Sequence, residues 1–328
     1  MKIGNVEIKH GLFLAPMAGF SDRAMRRICH EMGAEYSVSE MISAKAVTFG
    51  DKKTFSLARI RSDEGPVALQ IFGSEPEIMG RAAQILSTRA TEGGFCMPCA
   101  IDINMGCPVH KIYSNGEGSA LMRNPDLIYR IVKAVKENTD LPVTVKHRTG
   151  IDSEHINATE CALAAESAGA SLITVHGRTK TQMYSGHVDR ETIKKVKQSV
   201  HIPVVANGDI LSYKDAVSML NETGADGIAI GRGAVGNPFL FREIARSFEG
   251  EEYIYPTLAE ITNVALLQLR LAIEDKGEKI AVPEARKQIA SYLHSFRGAA
   301  QIRAEINRAL SYSEIERIML DALKKENK

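Results

Sequence analysis

A chain of 328 residues is long for one domain and favours one large domain with a smaller one beside it. Its composition, 44% hydrophobic and 25% charged, is that of a globular protein, and 41 Lys and Arg against 40 Asp and Glu leave no net charge that would name a partner. Five scattered cysteines argue against a disulfide framework, and no apolar stretch approaches the ~18 residues of a membrane helix, so a cytoplasmic protein without membrane attachment is expected.

Eight apolar runs of strand length follow one another: LFLAP from 12, EYSVS from 35, PVALQIF from 66, AIDIN from 100, PVTVKH from 142, SLITVH from 171, PVVAN from 203 and DGIAIG from 226. Several lack polar alternation, which suits parallel strands buried on both faces. The intervals carry helix signals: a capping box at Ser74 to Glu77, Asn124-Pro125 and Asn237-Pro238 as caps followed by proline, and Asn157 and Ser212 as further caps. Gly33, Gly169 and Gly224 stand where helices should end. Eight strand–helix units in about 245 residues predict an α/β fold, a (β/α)8 TIM barrel, with an open doubly wound sheet as the competing arrangement.

The pattern changes after Arg246. SFEGEEYIYP is an acidic, aromatic stretch, and only helical spacing follows it, punctuated by Gly277 and Pro283 and by capping boxes at Thr257 to Glu260 and Ser311 to Glu314. The expected organisation is a barrel over 1–248, a linker at about 249–256 and a small all-helical bundle domain over 257–328. From 281 to 310 the tail carries Arg286, Lys287, Arg297, Arg303 and Arg308 against only Glu284 and Glu305, a basic stretch that either grips an anion or is a solvated face.

Barrel chemistry sits at the C-terminal ends of the strands. There the sequence places APMAG (15–19), Gln70, Asn104 with Cys107, Lys146 with Arg148, His176 with Arg178, NGD (207–209) and GRG (231–233). The last two turns match a phosphate cradle, in which glycine lets backbone amides approach an anion and Arg232 adds charge. Lys146 has three open readings: a Schiff-base nucleophile, a phosphate contact or a fixed charge beside a cofactor. Cys107, fenced by Gly106 and Pro108, competes between a packing residue, a metal ligand, a nucleophile and a general acid; His110, Cys96 and Cys99 supply no recognisable metal spacing, and CMPC (96–99) reads as an ordinary loop.

Together LAPMAGFSD (14–22), DINMGCP (102–108), VKHRTG (145–150), TVHGRT (174–179), VVANGDI (204–210) and AIGRGAVGNP (229–238) resemble bacterial-type tRNA-dihydrouridine synthases, over essentially the whole chain. The resemblance implies an FMN-bound barrel, a helical domain that holds RNA, and reduction of the C5–C6 double bond of selected uridines in tRNA by NADPH (or NADH), with no obligate protein partner. It implies Pro16, Met17, Ala18, Gln70 and Lys146 around the flavin ring with His176 close by, and Asn207, Gly208, Asp209, Gly231 and Arg232 at the ribityl phosphate. Cys107 would be the proton donor to C5 while hydride passes from flavin N5 to C6. Asn104, Arg148 and Arg178 are further candidates for contacting the uracil or its neighbours.

Two departures from the family pattern stand out. TRATEGGFCMPCA (88–100) is longer than the usual turn, and EARKQIASYL (284–293) has Gln288 where the family's Arg-Lys-His helix has histidine, while Arg286 and Lys287 keep the phosphate-binding charge. A free-pyrimidine flavin oxidoreductase is the nearest alternative, and the basic tail argues against it. A non-catalytic RNA-binding protein and a Lys146 aldolase lie further off.

Overall fold

All eight apolar runs form parallel strands: β1 (Leu12–Leu14), β2 (Tyr36–Val38), β3 (Val67–Phe72), β4 (Ala100–Met105), β5 (Val143–Arg148), β6 (Leu172–His176), β7 (Val204–Asn207) and β8 (Gly227–Ile230). Each pairs with its successor, and β8 pairs with β1 through Ile230 and Leu14, so the sheet closes into a barrel rather than staying open. The computed structural model describes residues 1–89 and 95–326. The centre of the lengthened segment before β4, 90–94, lies outside the described residues; the CMPC stretch beyond it is a loop tied by the Cys96 and Cys99 amides to Ile60 O and Val67 O.

Why these runs become barrel strands is visible in their burial. Ile101, Ile103, Val143, Val145, Ile173 and Val175 are fully buried beneath the surrounding helices, while Phe13, Tyr36, Ala68, Ala100, Leu172, Val205 and Ala229 form a separate inner cluster. Small and large residues thus share the narrow interior, as a filled barrel requires. A hairpin missed in the sequence, Lys2–Ile3 with Val6–Glu7, adds Ile3 and Ile8 to that inner cluster. A third missed strand, Ile42–Ser43, pairs with Ile71 and Phe72.

The helix signals hold in most places. Asn124 accepts from the Leu127 amide at 3.0 Å, Ser212 caps the helix Tyr213–Thr223, and Gly224 ends it in a left-handed conformation at φ 69°. Two differ. The helix Phe239–Phe248 starts one residue late, with Pro238 itself in the cap position. Asn157 occupies a cap position, but its amide is spent on Met122 O at 2.6 Å.

Beyond Glu249 the chain runs without regular structure to Thr257, whose hydroxyl accepts from the Glu260 amide to open the first tail helix, Leu258–Lys276. Glu278–Ser291, Ala299–Ile306 and Tyr312–Glu326 complete the tail. Pro283 lies inside Glu278–Ser291 rather than ending it, at the loss of one backbone hydrogen bond. The tail core, including Leu269, Ile289, Tyr292 and Met319, packs on Ala24, Ile28 and Phe239 of the barrel's outer layer. No helix among the described residues is long and apolar enough to cross a membrane.

Candidate active site

The barrel register sets site residues side by side. Gln70 is the neighbour of Asp102, Asn104 of Lys146, Arg148 of His176, and His176 of Asn207. Beyond them, at the C-terminal mouth, opens a cavity of about 830 Å³, within the range of small-molecule and cofactor sites. Every residue that the family resemblance assigned to the flavin lines it: Pro16, Met17 and Ala18 after β1, Gln70 on β3, Lys146 on β5, His176 on β6, Asn207, Gly208 and Asp209 at the end of β7, and Gly231 and Arg232 after β8.

The turn after β1 is built locally. Met17 N–H donates to Ser21 Oγ at 2.9 Å, Phe20 and Ser21 amides return to Met17 O, and Gly19 takes φ 76° while its amide donates to Glu40. Asp22 then caps the helix Arg23–Glu31 by accepting from the Met25 amide.

Cys107 is held by a chain of side-chain amides. Asp102, buried on β4, accepts from Thr144 Oγ1 at 2.5 Å and from Gln70 Nε2 at 2.7 Å. With its nitrogen spent there, Gln70 presents its oxygen to Asn104 Nδ2 at 2.7 Å. Asn104 is therefore left with its carbonyl facing the loop, where it accepts from the amides of Gly106 (3.2 Å) and Cys107 (2.9 Å), a local turn that asparagine is suited to close. From the other side Ser119 donates its hydroxyl to Cys107 O at 2.8 Å. Gly118 lets that approach happen: a Cβ there would stand 2.9 Å from the same oxygen. Burial pushes the thiol above its ordinary value, opposed by the Val109 amide and by Arg148, so at neutral pH the Cys107 thiol keeps its proton.

The cavity is rich in cations. Lys146 Nζ donates to Asn207 Oδ1 at 2.9 Å, and burial together with the nearby Arg148 pushes its ammonium down to about 7, with Asp102 opposing. His176 is driven far below the usual imidazole range by burial and by Lys146, Arg148, Arg178 and Arg232 around it, so it is neutral. Arg148 is 3% exposed, with Nε on Gly106 O at 2.8 Å and Nη1 on Thr179 O and Met183 O at 2.9 and 2.8 Å. It thus clamps the Cys107 loop to the loop after β6. Asp209 is the only acidic side chain among the described residues that line the cavity.

Not every expected residue faces this space. Arg178 is not part of the lining; it is 2% exposed and its guanidinium holds Asp209, Ser185 O and Gly186 O. In the tail, Lys287 lines the cavity and lies 4.8 Å over the Phe20 ring, whereas Arg286 stays outside with its Nε buried and unpartnered among the described residues. Gln288, in the place of the family's histidine, donates to Gly19 O at 3.3 Å and accepts from Gln268 Nε2, whose own oxygen accepts from Tyr292 at 2.5 Å. The tail is therefore hydrogen-bonded to the turn that carries Pro16 to Ala18.

The sequence reading missed Phe20, Met41, Tyr184 and Ser291, which also line the cavity. Tyr184 was the most findable, an aromatic before Ser-Gly in the loop after β6. Its ring receives Arg148 at 5.9 Å and Arg232 at 5.1 Å. Ser291 had no local signal, because long-range contacts bring that helix to the mouth, among them the approach of Gly236, whose Cβ would be 2.3 Å from the Ser291 carbonyl carbon.

A family model described as dihydrouridine synthase (Dus) matches residues 13–327. The chain is 41% identical over 321 residues to tRNA-dihydrouridine synthase B of Shewanella oneidensis, covering 96% of this chain and 97% of that protein. It is 38% identical to tRNA-dihydrouridine synthase B of Pectobacterium carotovorum, covering 99% of this chain and 98% of that one. A probable tRNA-dihydrouridine synthase of Rickettsia conorii is 38% identical over 94% of this chain and 91% of its own length.

Proposed function

The chain belongs to the dihydrouridine synthase (Dus) family, and on that premise we propose that it is a flavin-dependent oxidoreductase reducing the C5–C6 double bond of selected uridines in tRNA, with FMN as cofactor and NADPH (or NADH) as reductant. The observation that carries the reading is the meeting, in one cavity, of a protonated thiol, a desolvated lysine and a lysine from the helical tail.

The residues present suit FMN. A Cβ on Gly231 would stand 3.5 Å from Met17 Sδ and 3.8 Å from Ala15 Cβ, so its absence leaves room between cavity-lining groups, and Lys146, Arg148 and Arg232 form a donor set that favours an anion. Pro16, Met17, Ala18, Gln70 and Lys146 would hold the ring with His176 close by, and Asn207, Gly208, Asp209, Gly231 and Arg232 the phosphate. When bound, FMN supplies to uracil C6 a hydride that it has taken from the nicotinamide.

The protein's own part is the proton and the placement. Cys107 transfers its proton to C5, which balances the hydride arriving at C6, and the sulfur is reprotonated from solvent. Arg148, whose field opposes the upward push on this thiol, stabilises the charge left on sulfur. Asn104 fixes the loop that aims the thiol. Neutral His176 can donate or accept a hydrogen bond without adding charge.

The barrel, 1–248, is the catalytic domain, joined by 249–256 to an RNA-binding domain over 257–328. A uridine inside folded tRNA must swing out to reach a barrel mouth, and Lys287, which lines the cavity, would meet its phosphate. The reaction belongs in the cytoplasm. Purified protein given FMN, NADPH and tRNA lacking modifications should add two hydrogens to particular uridines, seen by mass spectrometry of nuclease digests. Reduction of free uridine as readily as of tRNA would support the free-pyrimidine alternative instead.

A further inference from the structure

Asp209 raises a physical difficulty for the phosphate site. A carboxylate lining the end of a cavity that takes a phosphate repels its ligand, and the repulsion is strong where water is partly excluded. The structure also holds Asp209 at φ 52°, a left-handed conformation that few residues other than glycine adopt.

Both features are answered by one side chain. Arg178 Nη2 lies 2.8 and 2.7 Å from the two carboxylate oxygens of Asp209, and the same nitrogen donates to Gly186 O at 2.7 Å while Nε donates to Ser185 O at 3.1 Å. Asp209 Oδ2 also accepts from the Val188 amide at 3.3 Å. The ends of β6 and β7 and the 185–188 turn are thereby tied together around one buried guanidinium. Their packing is close: a Cβ on Gly208 would lie 2.6 Å from Val188 Cγ2. Arg232, more exposed, adds a second cation 3.6 Å from Asp209.

We propose that Arg178 is a positioning residue of the cofactor's phosphate site, which acts through Asp209: it neutralises the carboxylate and turns it away from the anion, so that the turn after β7 and Arg232 meet the phosphate without opposition. The inference rests on the reading that this cavity takes FMN. It removes Arg178 from contact with the uracil, because Arg178 does not line the cavity; Nη2 and Nε are committed to Asp209 and the 185–186 carbonyls, and Nη1 is buried without a partner among the described residues. Arg178 acts through Asp209, and its effect is confined to the phosphate end.

Riboflavin, which has the ring and the ribityl chain but no phosphate, isolates that end. Holoprotein is dialysed against mixtures of FMN and riboflavin, and the retained ratio is measured by chromatography, with circular dichroism as the check on folding. Wild-type protein retains FMN in preference. Arg178→Met should lower the preference about tenfold to a hundredfold, the range for losing charge-assisted hydrogen bonds to a partner left behind, and adding Asp209→Asn should restore most of it, because no charge then remains to be neutralised. A merely structural arginine would lower FMN and riboflavin retention together, and the asparagine would not repair it.

Arg178→Lys, which keeps charge and most of the stem, carries the same test if the methionine variant does not fold. It should lose preference by a smaller factor, again recovered by Asp209→Asn. An unchanged FMN preference in the folded variant, or a loss that Asp209→Asn does not recover, overturns the proposal while leaving the cofactor reading intact. Equal retention of FMN and riboflavin by the wild-type protein overturns the cofactor reading, and the role of Arg178 with it.

Discussion

Asn104 holds the backbone amide of Cys107 at 2.9 Å through its side-chain carbonyl, and its orientation is inherited through Gln70 from the buried carboxylate of Asp102. The loop that carries the thiol is thus aimed by three side chains in series. Asn104→Ala should leave FMN bound and reducible by NADPH but slow the reduction of tRNA by ~10²-fold, the cost of a misplaced reacting group. Single-turnover oxidation of the reduced protein by tRNA measures this. A rate near wild type would mean that Ser119 and Arg148 alone fix the loop.

Lys146 predicts a proton linkage. With its ammonium at about 7 in the cavity, most Lys146 is neutral at pH 8, and a bound anion favours its charged form. FMN binding at pH 8 should therefore take up protons, and affinity should fall as pH rises above about 7. Calorimetry in buffers of different ionisation enthalpy reads the uptake directly. In Lys146→Met the uptake should vanish, the flavin potential should become more negative, and reduction by NADPH should slow. Persistent uptake would assign the proton to another group.

The two basic tail residues should separate. Lys287 lines the cavity and Arg286 does not, so Lys287→Ala should raise the KM for tRNA more than Arg286→Ala does, with kcat little changed. If Lys287 meets a phosphate, its loss should flatten the slope of log affinity against log salt by ~1. Oxygen-dependent NADPH consumption should persist in both variants. Equal, negligible effects would make this stretch a solvated face.

Gln288→Leu removes the donor to Gly19 O, on an exposed turn, and the acceptor of the buried Gln268 Nε2. Leaving the buried Gln268 amide unpaired costs about 1–3 kcal/mol, which urea denaturation would detect. Gln288→His can donate one of these bonds and should lose less.

The barrel was legible because its strands are buried on both faces, which leaves uninterrupted apolar runs such as PVTV and LITV in the sequence. The two-residue strands at Lys2–Ile3 and Ile42–Ser43 were not, since nothing so short carries a period. Strand ends gave the positions of Lys146, His176 and Asn207, but a position does not give a side chain's direction. Arg148 and Arg178, two residues past neighbouring lysine and histidine, look alike in sequence; Arg148 lines the cavity while Arg178 is drawn to a carboxylate 31 residues away. Long-range partners of this kind also decide Gln288, whose contacts are Gly19 and Gln268.

Replacing Cys107 by alanine and measuring two half-reactions tests the account most directly. FMN content and the rate of flavin reduction by NADPH should stay at wild-type values, because the thiol serves only the base. Reduction of tRNA should fall by ~10²- to 10⁴-fold, the usual contribution of a positioned acid. Wild-type formation of dihydrouridine by Cys107→Ala would contradict the assignment of this thiol as the proton donor.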